Sequence, residues 1–311
     1  MATIPVILAP IDGSEQSMNT IAYLGRTLSS KNVTIELFHV LAETPEPFFD
    51  LGETQETAAF ETVIDKWKNS RSSQIDRFME EARQTLVFNG FASSSISATV
   101  QPRREGIARD IVNRSENGYA AVVIGRKGFG TLPDYILGSV AAKLADTIDH
   151  LPLAIVGSQP NTRKAIVAFD RSRGIRRGLE KVSLFLSPKL EEILLCHIVR
   201  PLAEPHPAHQ SFFNSRNEAS WLDENSRKIV PAMVEAKQCL NRAGFDPQSF
   251  HTVIIKEKTS RADGLMTEIE ALKAGTIIIG RRGTTSVEKF TMGRVTRKIL
   301  YLAYDKAIWI V

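Results

Sequence analysis

The sequence predicts an α/β protein of two tandem open-sheet domains, each with a five-stranded parallel sheet and helices on both faces. Three observations predict it: an internal repeat, an alternation of strand-like and helix-like segments, and apolar runs of strand length. Asp12 and Asp170 are 158 residues apart, and so are His39-Val40 and His197-Ile198. Gly90-Phe91 and Gly244-Phe245 lie 154 apart. Gly125, Gly128 and Gly138 match Gly280, Gly283 and Gly293 at 155, as Ile155-Val156 match Ile310-Val311. One coincidence is cheap, but a nearly constant offset over five separated landmarks marks a duplication. The small drift falls between landmarks, where loops change length freely.

In the first copy, Pro5–Ile11 is a near-continuous apolar run, as a strand buried on both faces requires. A helical stretch follows to Leu28, with Ser14 or Asp12 as its N-cap. Val33–Val40 reads as the second strand. Glu43–Asn69, with Pro45, Pro47 and Gly52, reads as a long excursion before a helix over Ser70–Phe88. In that helix Ile75, Phe78, Met79, Ala82, Leu86 and Val87 recur at helical spacing. Ser95–Val100 is the third strand, Ile107–Arg114 a short helix, and Ala120–Gly125 the fourth strand. Gly138–Ile148 is a helix and Leu153–Val156 the last strand. Residues 157–162, Gly-Ser-Gln-Pro-Asn-Thr, are linker chemistry, which divides the chain into domains at 1–158 and 163–311. The apolar final strands Leu153–Val156 and Ile308–Val311 would be bare edges, so the two copies are expected to pair along them; a homodimer is a further option.

Composition narrows the setting. Apolar residues at 43% and charged residues at 24% fit a globular protein rather than a disordered one. The longest apolar runs are strand-length, far below the roughly 20 residues of a membrane span, so no membrane partner is expected. The N-terminus has no basic region before its first strand, which reads as no signal peptide. Two cysteines, Cys196 and Cys239, give no disulfide framework, and a reducing cytoplasm is the expected home. A net charge of +4, spread over both halves, argues against nucleic acid as the main partner.

Ligands of open α/β sheets bind beyond the carboxyl ends of the strands, where strand order reverses. There the first copy has Asp12-Gly13-Ser14 after strand one and Gly125-Arg126-Lys127-Gly128 after strand four. Nine residues later Gly138-Ser139-Val140 open a helix. Glycines admit a close backbone approach, and a helix start offers unpaired N–H groups and a positive dipole end to an anion. This is chemistry for holding a polyphosphate. At these residues the chain resembles the universal stress protein family, whose ATP-binding members carry Gly-x2-Gly-x9-Gly-Ser/Thr; Gly125, Gly128, Gly138 and Ser139 match it in full. The resemblance extends over essentially the whole chain as a tandem member. It implies an adenine nucleotide alpha hydrolase-like fold with strand order 3-2-1-4-5. It also implies an adenine-nucleotide site in which Asp12 and Val40 hold the adenine end. Gly125 and Gly128 would lie against ribose and phosphate, Arg126 between them is counted with the nucleotide-binding residues, and Gly138, Ser139 and Val140 would hold the phosphates. The implied cofactor is ATP, with ADP or AMP as alternatives and magnesium as the accompanying metal.

The second copy departs from this pattern. The corresponding altered site is Asp170, Ile198, Gly280, Gly283, Gly293 and Arg294, with an arginine in place of the hydroxyl. Arg171, Arg173, Arg176, Arg177, Arg281 and Arg282 are expected around it at the same end of the sheet. Arg294 is expected to meet an anionic partner, Asp170 or a bound anion, and closure by Asp170 is the favoured reading. Other features have plainer readings: His39 and His197 as structural, Cys196 as a small buried hydrophobe, and the His206 and His209 loop as a weak metal signal. No catalytic triad and no Gly-x4-Gly-Lys-Ser/Thr loop is present. The leading function is therefore a nucleotide-binding regulatory protein. The alternatives are a slow ATPase or phosphotransfer enzyme and a nucleotide-free interaction protein.

Overall fold

The computed structural model describes residues 4–42, 61–128, 137–158, 160, 163–186, 190–202, 215–256, 260–283 and 292–311. The first half runs β1 (Val6–Pro10), α1 (Glu15–Thr27), β2 (Thr34–Leu41), α2 (Glu61–Phe88), β3 (Ile96–Pro102), α3 (Ile107–Ser115), β4 (Ala121–Gly125), α4 (Ser139–Thr147) and β5 (Leu153–Val156). The second half repeats the order as β6 (Lys164–Ala168), α5 (Arg173–Phe185), β7 (Glu192–Ile198), α6 (Ser215–Arg242) and β8 (Phe250–Ile255). It ends with α7 (Arg261–Leu272), β9 (Thr276–Ile279), α8 (Arg294–Leu302) and β10 (Ala307–Ile310). The helix expected from Ser70 begins nine residues earlier, at Glu61. No Gly or Pro stands between 61 and 88 to stop it. The rest of the expected excursion, 43–60, lies outside the described residues, as do His206 and His209.

All strands join one ten-stranded sheet, in the order β3-β2-β1-β4-β5-β10-β9-β6-β7-β8. Each half thus has the 3-2-1-4-5 order with parallel neighbours. The halves meet where β5 pairs antiparallel with β10, Ala307 opposite Val156 and Ile310 opposite Leu153. Strand residues alternate between two cores, because successive side chains point to opposite faces. Ile7 and Ala9 join the core under α1, α2, α5 and α6, whereas Leu8 joins the core under α3, α4, α7 and α8. Both cores contain residues of both halves.

The seam is filled unevenly. Trp309, fully buried, donates its indole N–H to the Tyr23 hydroxyl at 3.0 Å, and Tyr23 Oη lies 3.0 Å from Thr276 Oγ1. Phe185 at the end of α5 stands beside the same indole, its ring centre 6.5 Å away. Directly across the strand pairing, the residue opposite Trp309 is Ala154, so one bulky ring fills the middle of the seam for both halves.

Candidate functional site

Each half builds the same turn after its first strand. His39 Nδ1 lies 2.8 Å from the Ile11 carbonyl, and His197 Nδ1 the same distance from that of Phe169. These imidazoles fix the backbone directly before Asp12 and Asp170. One carboxylate oxygen, Asp12 Oδ1, accepts from the Ser14 N–H at 3.0 Å and the Ser14 hydroxyl at 2.6 Å. Ser14 in turn caps α1 by accepting from the Ser17 N–H at 3.2 Å. In the second half Asp170 Oδ1 accepts from the Ser172 N–H at 2.9 Å, and Ser172 caps α5. Serine, not aspartate, is therefore the cap in both copies, and the aspartates shape the turn.

The other oxygen, Asp12 Oδ2, faces the glycine loop after β4. A Cβ at Gly128 would collide with it, so only glycine lets the two loops close together. Further along, Gly138 is the N-cap of α4 and supplies no side-chain cap. Its N–H donates to the Arg126 carbonyl at 2.9 Å, and a Cβ there would sit 2.9 Å from that same oxygen. Because the Gly138 carbonyl accepts only from Ala142, the first-turn amides of Ser139, Val140 and Ala141 have no intrahelical acceptor. Ser139 is exposed and Val140 half-buried. Among the described residues, no side chain caps this positively polarised helix start, which stands beside the Asp12 turn where β1 and β4 lie side by side.

The remaining first-half residues are placed differently. Val40 is buried in the core under α3 and α4, at the end of β2. Gly125 lies beneath α1, where a Cβ would come 3.1 Å from Thr20 Oγ1, so it admits the helix rather than opening to solvent. The Arg126 backbone shapes the loop, and the residue is 2% exposed. Its three guanidinium nitrogens are buried with no hydrogen-bond partner among the described residues, and burial lowers its pKa against smaller attractions from Tyr301 and Asp305 of the second half. A contact no pattern announced is Gln16, whose side-chain amide donates to the Val156 and Gly157 carbonyls at 3.0 and 2.8 Å. It ties α1 to the end of β5.

In the second half, Gly293 caps α8 without a side-chain bond, and its N–H donates to Arg281 O at 2.8 Å. Ile198 is buried at the end of β7, Gly280 follows β9, and a Cβ at Gly283 would stand 3.4 Å from Asp170 Oδ2. Two expectations need correction. Arg294 is exposed and forms no ion pair with Asp170, so closure by that pair does not occur. At the first position of α8 its long side chain reaches water more cheaply than it could be desolvated beside a carboxylate already bonded to its own turn. Arg281 does not join the rim as a free cation either. Its guanidinium is 8% exposed and donates to the carbonyls of Ala145, at 2.6 Å, and Ile148. It therefore crosses the seam and caps the C-terminal end of α4, where a cation meets the negative dipole end. No local signal could reveal this bond, because its partners are 136 and 133 residues away.

Burial lowers the pKa of both turn histidines, against smaller opposing effects from their backbone hydrogen bonds. Asp12 and Arg71 act on His39, and Asp170, Arg261 and Arg171 on His197. With the folded value below the unfolded one, the stabilisation is complete above about pH 6.5. It is lost as pH falls through the folded value. We expect the urea midpoint to decrease between pH 7.5 and 5.5, and to decrease less in His39→Gln and His197→Gln. An equal slope in wild type and both variants would contradict the neutral, buried assignment. Cys196 is likewise buried, its thiol pushed up to about 12, and it packs as a small apolar residue.

These features define a tandem, doubly wound α/β protein whose first half places a helix start without a side-chain cap at its switch point. Comparison with known proteins gives the family. The universal stress protein family model matches residues 4–156. Universal stress protein YxiE of Bacillus subtilis is 25% identical over 151 residues, 48% of this chain and 97% of that protein. Universal stress protein Mb2019 of Mycobacterium bovis is 24% identical over 201 residues, 57% of this chain and 61% of that protein. Among solved structures, a universal stress protein of Archaeoglobus fulgidus superposes with a TM-score of 0.59 at 18% identity, over 99% of this chain and 98% of the other. A protein of Pseudomonas aeruginosa described as a putative universal stress protein gives 0.55 at 13%, over 99% and 93%. These two likenesses concern the fold. The first half of the chain is a universal stress protein domain, and the second half repeats its strand order. Among the described residues, no helix is long and apolar enough to cross a membrane.

Proposed function

We propose that the chain is a regulatory protein of the stress response that binds ATP in its first half. The observation that carries this reading is the uncapped start of α4, held by Gly138 against the loop after β4 and beside the Asp12 turn. Phosphates accept hydrogen bonds from the free amides of Ser139, Val140 and Ala141 and from the Ser139 hydroxyl. Gly128 keeps the opposite wall low, and Asp12 holds the adenine end, as the family resemblance implies. Magnesium accompanies the nucleotide. Among the described residues no group of three or more His, Cys, Asp or Glu is assembled to hold a metal alone. Phosphate oxygens and water would be its main ligands. The second half does not hold ATP in this way, since Arg294 replaces the small hydroxyl at the helix start.

Two measurements test the reading. Mass analysis of small molecules released on denaturing the purified chain should find an adenine nucleotide. Calorimetric titration of the stripped chain should give one tight ATP site, and Arg294→Ser should add or strengthen a second. Absence of ATP binding, or two equal sites in the unaltered chain, would overturn it.

A further inference from the structure

A cavity of about 650 Å³ opens beside the start of α5, a size typical of small-molecule sites. Its cationic walls are Arg171, Arg173, Arg177 and Lys181 from one side and Arg281 and Arg282 from the other. The α4–β5 connection of the first half closes the third side, and Asp149 carries the one acidic side chain among the described residues that line it. Arg281 is committed to the α4 carbonyls. The other five cations form no ion pair with any described residue, whereas Arg176 between them pairs with Glu235 at 3.4 Å. Arg282 Nε is buried with no hydrogen-bond partner among the described residues. The amides of Arg173 and Gly174, in the first turn of α5, belong to the same wall.

The duplication supplies an internal control. At the offset of 158 residues, Arg171, Arg173, Arg177 and Lys181 correspond to Gly13, Glu15, Asn19 and Tyr23. The first half folds the same helix with no cation at any of these places, so the fold does not require them. Like charges gathered around one cavity repel, and arginines without carboxylate partners are suited to grip an anion through paired N–H groups. We propose that this cavity is a second, separate binding site, for a compact small molecule carrying two or more adjacent phosphate groups. Of the altered second-half site only Gly283 reaches its wall, while Asp170, Gly293 and Arg294 do not, so the cavity is offset from that site toward the seam and does not depend on ATP binding in the first half.

Inorganic tripolyphosphate is the probe, titrated calorimetrically into the full chain at physiological ionic strength. Binding is expected, weakening steeply as salt is raised. Arg173→Glu/Arg177→Glu, both at exposed positions on α5, should weaken it at least tenfold and leave ATP affinity unchanged. Arg227→Glu, an exposed cation on α6 away from the cavity, should leave it intact. Binding should also persist in Ser139→Glu, which separates this cavity from the start of α4. No binding by wild type would overturn the proposal. So would unchanged binding in the α5 variant, equal loss in Arg227→Glu, or loss in Ser139→Glu.

Discussion

A carboxylate placed at position 139 should remove ATP binding without weakening the fold. Ser139 is exposed and is the first residue of α4, so Ser139→Glu meets no steric obstacle. There the anion faces the positive end of the helix dipole, which stabilises the helix by about 0.3–1 kcal/mol. The same charge would stand where the phosphates are proposed to bind. Two unit charges about 4 Å apart near a protein surface repel by as much as about 4 kcal/mol, so a loss of at least a hundredfold in affinity is reasonable. Gly138→Val is a less clean test, because its Cβ would press on the Arg126 carbonyl and shift α4 itself. Calorimetry and thermal unfolding on Ser139→Glu together decide the matter. Unchanged ATP affinity in a chain of unchanged or raised Tm would place the phosphates elsewhere.

Trp309→Ala should be the most damaging single change outside the sites. The indole is fully buried, bonded to Tyr23, and central to the seam. Truncating such a side chain costs about 3–5 kcal/mol. Here it also strands the Tyr23 hydroxyl with Thr276 as its remaining partner. Because the lost volume lies between the halves, the expected signature is a separation of one cooperative unfolding transition into two, alongside a lower first midpoint. Trp309→Phe should recover much of the stability. A single transition displaced by less than about 1 kcal/mol would show that the seam is held by the β5–β10 ladder alone.

The fold was legible because its signals are local and repeated. Strands such as Ile7–Ala9 are buried on both faces and read as unbroken apolar runs, and each appears twice. The glycine loops were legible for a similar reason, since Gly128 and Gly138 sit where backbone and carboxylate leave no room for a Cβ. What escaped was the fate of long polar side chains. Arg126 and Arg281 look alike in sequence and both are buried, yet Arg281 bonds to carbonyls in the other half. Glu36 is another case: in an apolar strand it is held by Arg114 at 2.6 Å and by the Tyr119 hydroxyl at 2.7 Å. A flexible charged side chain can reach in many directions, and its partner is chosen by tertiary geometry rather than by spacing. The uneven cavity beside α5 belongs to the same class, since the arginines were visible but their convergence on the α4–β5 connection was not.

Helix α4 ties these observations together mechanically. It has nine residues, about 14 Å of rigid rod at 1.5 Å per residue. One tip carries the free amides beside the Asp12 turn, and the other is gripped by Arg281, whose own carbonyl holds Gly293 at the start of α8. The rod therefore has its two ends anchored in different copies of the duplicated unit. Duplication with fusion has thus set one short helix as a strut between the copies, one end beside the Asp12 turn and the other held by the loop that starts α8.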